Sequence, residues 1–210
     1  MKKVIMTAMV CIAISTATQA QFKVGILAGG NLSTQKRNDL STSSLFTKHA
    51  YRGFHAGLVA EVPLTKNLYI QPQLLYAKKG VNFKDQPAGM DRKLTLNTIE
   101  MPIVLLHKTE VPFGKIIAGA GPVISYGFNG KLNESGNIQK IYDEGTKQWR
   151  RWDLGAMVKA GVEFNNGLTL TANYQKGYKD LNKSTSSVKS RAFTVSVGYL
   201  IDWKKLTNRG

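Results

Sequence analysis

Three histidines are the first acid–base candidates in this 210-residue chain, and they are scattered. His49 lies in a polar stretch rich in Ser and Thr, His55 at the start of an alternating apolar run, and His107 near the end of another. A histidine beside a serine can activate it as a nucleophile, so His55 with a nearby loop serine would make a site of lipase or protease type. With so many serines in these stretches, such a neighbour is expected by chance. The chain has no GxSxG, no HExxH and no phosphate loop, and its single cysteine, Cys11, sits in an apolar run at the amino terminus. Asp143-Glu144 reads as solvated loop charge rather than a metal site or an acid pair. We therefore assign no catalytic, cofactor-binding or metal-ligating residue, expect no cofactor, and expect a protein that is not an enzyme.

Charge carries more information. Lys and Arg number 29 against 13 Asp and Glu, a formal net charge of +16, which suits a polyanionic partner or an anionic surface. The first twenty residues decide between nucleic acid and surface. Lys2 and Lys3 precede an apolar run from Val4 to Ile14, and Thr18 and Ala20 occupy the small-residue positions before Gln21. This is the pattern of a secretory signal peptide over residues 1–20, with one domain over 21–210. A membrane anchor is the competing reading, but the run is shorter than the roughly 20 residues that span a bilayer. An exported chain meets no cellular DNA, so nucleic acid is excluded as a partner and an anionic envelope surface remains.

The elements that must position these charges are strands. Over Trp152 to Phe164, Trp152, Leu154, Ala156, Val158, Ala160, Val162 and Phe164 share one parity, with Asp153, Lys159 and Glu163 on the other. Leu168, Leu170, Ala172 and Tyr174 then alternate with Thr169, Thr171, Asn173 and Gln175. Side chains alternate faces along a strand, so this is a hairpin with one apolar and one polar face. Keeping the faces in step requires Phe164 opposite Leu168. That predicts a three-residue turn at Asn165-Asn166-Gly167 with the glycine left-handed. The same alternation recurs after Phe22, Phe54, Leu68, Leu94, Lys115 and Phe193, giving eight strands. Long polar connections begin near residues 31, 78, 129 and 179, and short turns near 63, 108 and 165. The spacing predicts an all-β fold: a closed eight-stranded antiparallel up-and-down transmembrane β-barrel with four long extracellular loops and three short periplasmic turns. Pro72, Pro102 and Pro122 fall inside strands, where proline cannot donate to a ladder, so bulges or shortened pairing are expected there.

A soluble lipocalin-like barrel would bury the apolar parity inward instead. Aromatic placement favours the membrane version. Phe54, Tyr76, Tyr126, Trp152, Tyr178 and Phe193 lie at the long-loop end, and Phe22, Phe164, Tyr199 and Trp203 at the short-turn end, as two interfacial girdles would require. The other parity then lines an interior that eight strands leave just wide enough for side chains. Lys23, His55, Glu61, Glu100, Lys115, Lys159, Glu163 and Asp202 point into it and must pair, since uncompensated charge there is costly. Most of the basic surplus falls in the long loops and adjoining strand ends, among it Arg52, Lys78, Lys79, Lys93, Lys131, Arg151, Lys183 and Arg191. Lys176, on the outward parity, stands about 21 Å above the hairpin turn, within reach of lipid phosphates.

With the strands placed, FKVGILAGGNLS at 22–33, NTIEMPIVLLHK at 97–108, LTLTANYQKGYKDL at 168–181 and the aromatic strand ending in Trp203 resemble the PorT-like small outer-membrane β-barrel proteins of the Bacteroidota. Such barrels often finish on an aromatic residue, whereas this chain runs on to Gly210. The resemblance implies an integral protein of the cell outer membrane, and it maps no active site. We expect a monomer in contact with outer-membrane lipid and lipopolysaccharide, with a structural or surface-binding role. The alternatives are a narrow solute pore, a component of a protein-secretion apparatus partnered with envelope machinery, and, last, a hydrolase with His55 at the barrel mouth.

Overall fold

The computed structural model describes residues 22–37, 46–85, 91–134, 137–141, 151–178 and 188–203. The leader at 1–20, Asp143-Glu144, the tail beyond Trp203 and most of the long connections lie outside the described residues. Period-two alternation becomes strand wherever it occurs: β1 (Lys23–Arg37), β2 (Phe46–Pro63), β3 (Leu68–Asp85), β4 (Asp91–Val111), β5 (Gly114–Glu134), β6 (Asn137–Lys140), β7 (Trp152–Phe164), β8 (Leu168–Gly177) and β9 (Val188–Asp202).

All pairings are antiparallel, and they close a ring. β1 pairs with β2 and β9; β3 joins β2 to β4; β5 joins β4 to β7; and β8 lies between β7 and β9. The ring has eight strands, as expected, and β6 is an addition that pairs with β5 through Lys131↔Lys140 to Glu134↔Asn137. The chain's ends clasp each other, with Lys23 opposite Asp202, the Trp203 N–H donating to the Phe22 carbonyl at 2.9 Å, and the two rings 5.8 Å apart. No free edge is left on the ring, which is the condition for a sheet to sit in hydrocarbon.

The hairpin turn is as parity requires. Glu163 pairs with Thr169, Gly167 has φ of 90°, and its N–H donates to the Phe164 carbonyl at 2.9 Å. Only glycine holds that φ without strain. The outer parity is exposed along each strand, with Ile26, Leu58, Leu74, Ile103, Ile116, Val158, Leu170 and Val197 all facing away from the barrel interior.

The polar stretches are shorter as loops than the sequence suggests. Residues 31–37 and 46–52 continue β1 and β2, residues 78–85 and 91–93 continue β3 and β4, residues 130–134 continue β5, and β9 begins at Val188. Gly80, which reads as a breaker, lies within β3, packed against the Tyr51 ring. The cause is environmental. Past the apolar band a strand no longer needs an apolar outer face, so the alternation fades while the hydrogen-bond ladder continues. At a tilt of about 40° each residue climbs about 2.6 Å. On that scale β4 and β5, with 21 residues each, rise about 55 Å, and the 13-residue β7 about 34 Å. The wall is therefore much taller on the β2–β5 side.

Each proline interrupts one ladder without changing its register. Pro72 interrupts pairing with β2 between Val59↔Gln73 and Val62↔Ile70. Pro102 interrupts the β3 ladder between Pro72↔Ile103 and Leu75↔Glu100, and Pro122 the β4 ladder between Pro102↔Val123 and Leu105↔Ala120. The three gaps thus follow one another across adjacent strands. The true register shifts lie elsewhere, between Ala50 and Phe54 and between Asn97 and Thr98. The second makes Phe128 the extra residue of β5, and beyond it the inward parity passes from odd to even residues, with Gly130 buried.

Val158 stands six residues above the turn-end Phe164, near the middle of the apolar band. Replacing it with Arg is expected to cost about 2–4 kcal/mol, against about 0–1 for Trp152→Arg at the interface. Urea titration of the barrel folded in lipid vesicles measures both.

Candidate functional site

Inward side chains meet in a narrow lumen where most charges are held by a partner, the exception being Asp202 at the short-turn mouth, whose Oδ1 is buried without a hydrogen bond. Glu61, Glu100, Lys159 and Glu163 are buried, as parity predicts, while Lys23, Lys115 and Asp202 are half-buried at the short-turn mouth. Glu163 accepts from Lys23 Nζ at 2.6 Å and also from Lys108. Lys108 in turn donates to Glu61, so one ammonium bridges two carboxylates. Glu61 accepts from Gln71 Nε2 at 3.1 Å, and Gln71 Oε1 accepts from Gln73 at 2.9 Å and from Lys159 Nζ at 2.7 Å. Nearer the long-loop end, Lys79 Nζ donates to Glu100 at 2.6 Å and to Gln175 at 3.0 Å, and Ser125 donates to Glu100 at 3.2 Å.

Lys79 and Lys108 are the two cations that sequence reasoning misplaced. Lys79 reads as part of a basic loop, and it is buried because β3 runs past it. Lys108 reads as a turn residue, yet counting the parity of Glu100 forward through Pro102, Val104 and Leu106 puts it inside. The lumen is also less polar than expected. Leu27, Val59, Leu75 and Leu200 form one apolar cluster, and Val104, Leu106, Val123 and Met157 another, with Tyr69 packed against it. These layers separate the ionic groups and leave little space. Two cavities lined by described interior residues are about 10 Å³ each, room for a single water, and both touch Lys159 and Ser196.

His55 is at neither a loop nor a mouth. Its Nε2 lies 2.8 Å from Oγ of Ser196, a strand residue, and its Nδ1 is buried with no hydrogen-bond partner. Asn173 Nδ2 shares the same serine at 3.5 Å and Thr194 at 3.0 Å. Gly29 opposite leaves space for the imidazole, since a Cβ there would come within 2.9 Å of its Cε1. The pair has no carboxylate on the second ring nitrogen and no substrate-sized space beside it. His107 is exposed, and the described part of the chain shows no cluster of His, Cys, Asp and Glu suited to a metal.

The rims are aromatic, as expected. Tyr126 and Trp152 rings lie 4.8 Å apart, Phe54 and Tyr76 5.8 Å, and Tyr76 and Phe128 6.1 Å, forming a belt below the long loops. Phe113 and Phe164, 6.5 Å apart, join Phe22 and Trp203 at the other end. Phe113, in a turn, is invisible to parity, whereas Phe128 shares the outward parity of Tyr126. Above the upper belt the tall side carries a small core of its own: Leu94, Leu96 and Ile141, with Leu132 against them. Arg52, Lys93, Lys131 and Arg151 are exposed at this end and Lys78 is half-buried. Among the described side chains, every carboxylate except that of Glu110 faces inward.

Removing one member of a buried ion pair strands the other. Lys108→Met leaves Glu61 and Glu163 facing each other and is expected to destabilise the barrel by about 3–5 kcal/mol. Adding Glu61→Gln and Glu163→Gln recovers most of that loss. Urea unfolding in lipid vesicles, with heat-modifiable gel mobility as a check of folding, measures both steps.

Residues 17–183 match the sequence model of the family described as outer membrane protein beta-barrel domain. No curated protein matches the chain. Among solved structures, the attachment invasion locus protein Ail of Yersinia pestis is similar at 14% identity and a TM-score of 0.45, over 86% of this chain and 99% of that one. Neisserial surface protein A is similar at 17% identity and a TM-score of 0.44, over 85% and 96%. The N-terminal β-barrel domain of Pseudomonas aeruginosa OprF gives 13% and 0.40, over 87% and 100%. A closed eight-strand ring, apolar outside, belted with aromatics at both ends and matched over most of its length by that family, is at home in the outer membrane, and the chain belongs to the outer membrane protein beta-barrel domain family.

Proposed function

We propose that this barrel is a structural and surface-binding protein of the outer membrane rather than a channel or an enzyme. In this reading residues 1–20 are the export leader, the short turns face the periplasm, and the long loops with the tall β2–β5 side face outward. The barrel works as a monomer, and the PorT-like branch of small barrels is the finer placement we favour. The observation that carries the proposal is the distribution of charge. Described carboxylates are drawn into the lumen to hold Lys23, Lys79 and Lys108, which leaves Arg52, Lys93, Lys131 and Arg151 on the outer rim. A cationic rim at the level of lipid phosphates suits lipopolysaccharide or an acidic polysaccharide. The water-sized cavities support a plugged interior, and the His55–Ser196 contact serves packing within it.

Two measurements test this. Purified protein in planar bilayers should give no large, stable conductance steps. Binding of lipopolysaccharide should weaken as salt rises from 0.1 M toward 1 M, where the Debye length falls from about 10 to about 3 Å. Neutralising Arg52, Lys93 and Lys131 to Gln together should remove most of that salt sensitivity. Steady conductance would sink the plugged-barrel reading, and salt-independent binding the electrostatic one.

A further inference from the structure

Lys176 and Arg191 stand directly opposite each other on β8 and β9, and both lie on the outward parity of their strands. Like charges opposed on one face of an antiparallel pair are destabilising. No described acid lies beside them on that face: the cross-strand neighbour of Lys176 on β7 is Ala156, and that of Arg191 on β1 is Thr34. Arg191 carries a second sign of a missing partner, because its Nε is buried from solvent and donates to nothing. Lys176 lies with its Nζ 6.0 Å from the centre of the Tyr178 ring, a contact that leaves its N–H donors available.

Their height fixes what can reach them. Lys176 is eight residues above Leu168, and Arg191 eight above Tyr199, which puts both about 21 Å above the lower belt and near the top of an apolar band about 25 Å tall. Directly below them Tyr174 faces Phe193, and Ala172 faces Val195, an uninterrupted apolar surface. An anion that docks between the two cations therefore has hydrocarbon beneath it.

We propose that Lys176 and Arg191 form a site for the phosphate of a membrane lipid headgroup, its acyl chains lying along Tyr174, Phe193 and Val195. A phosphate monoester supplies both the negative charge that two opposed cations need and several acceptors for the guanidinium fork and the ammonium. The site rests on the outward orientation proposed above, and it deepens that reading by naming one lipid position on the short side of the wall.

The test is native mass spectrometry of the detergent-purified full chain. It is titrated with phosphorylated lipid A, with the same lipid stripped of phosphate, and with inorganic phosphate as competitor. Lys176→Gln and Arg191→Gln should each weaken phosphorylated lipid A about tenfold, the loss of one charge-assisted contact. The double variant should lose less than the product of the two single effects, because both groups hold one anion. The stripped lipid should bind the native chain as weakly as phosphorylated lipid binds the double variant, and inorganic phosphate should not compete. Equal binding of both lipids, or a double variant that binds like the native chain, overturns the site. Competition by inorganic phosphate overturns its assignment to lipid. If the double variant fails to fold by heat-modifiable mobility, the two single variants decide. The Arg52→Gln, Lys93→Gln, Lys131→Gln triple variant should keep this lipid adduct. An adduct that persists there, with lipopolysaccharide binding as salt-sensitive as in the native chain, supports the site and rejects the rim.

Discussion

A backbone in hydrocarbon must satisfy its own hydrogen bonds, and the rest of this structure depends on that constraint. A sheet can comply only by closing, so β1 must meet β9, and it does so along its whole length from Lys23↔Asp202 to Arg37↔Val188. Closing with eight strands makes a lumen about as wide as two facing side chains. The inward parity must then fill itself. Lysines and glutamates placed there have no water to turn to, and they find each other both between adjacent strands, as Lys79 and Glu100 do, and across the lumen, as Lys108 does with Glu61 and Glu163. Glu163 shows the difference, since its cross-strand neighbour is Lys115 while its partners are Lys23 and Lys108.

Filling is shared between two kinds of layer. The ionic groups lock the strands relative to one another through directional contacts that span many residues of chain, such as Lys79 to Gln175 and Lys159 to Gln71. The aliphatic groups, Leu27 with Leu200 and Val104 with Met157, occupy the space between. A barrel that is apolar outside and partly apolar inside inverts nothing. It places a dry core in the lumen and a second apolar surface against lipid, with the pleat of each strand separating them.

How much of this could be read from residues alone follows from where each signal originates. Alternation is imposed by lipid on one side and lumen on the other, so the ring, the facing of each membrane strand and the turn at Asn165-Asn166-Gly167 were all legible. Beyond the lipid the outer side of the alternation disappears, and residues 78–85 read as loop although β3 continues through them. Lys79 was misplaced for that reason and Lys108 because a turn seemed to begin at it. The bulge at Phe128 flips parity within β5, which no period-two count detects. The pairing of Lys176 with Arg191 needed register between β8 and β9, and parity within one strand does not contain it. The His55–Ser196 contact is likewise a product of ring closure, joining β2 to β9 across β1.

The unequal height of the wall gives the molecule a heading in the plane of the membrane. Over the described residues, a neighbour drifting toward β7 and β8 meets ladders that end close to the upper aromatic belt. A neighbour arriving at β3, β4 and β5 meets ladders that stand well clear of the headgroups. In a crowded two-dimensional fluid these two approaches are not equivalent. A wall of unequal height can therefore impose direction on its surroundings in the plane of the membrane, whatever neighbour approaches it.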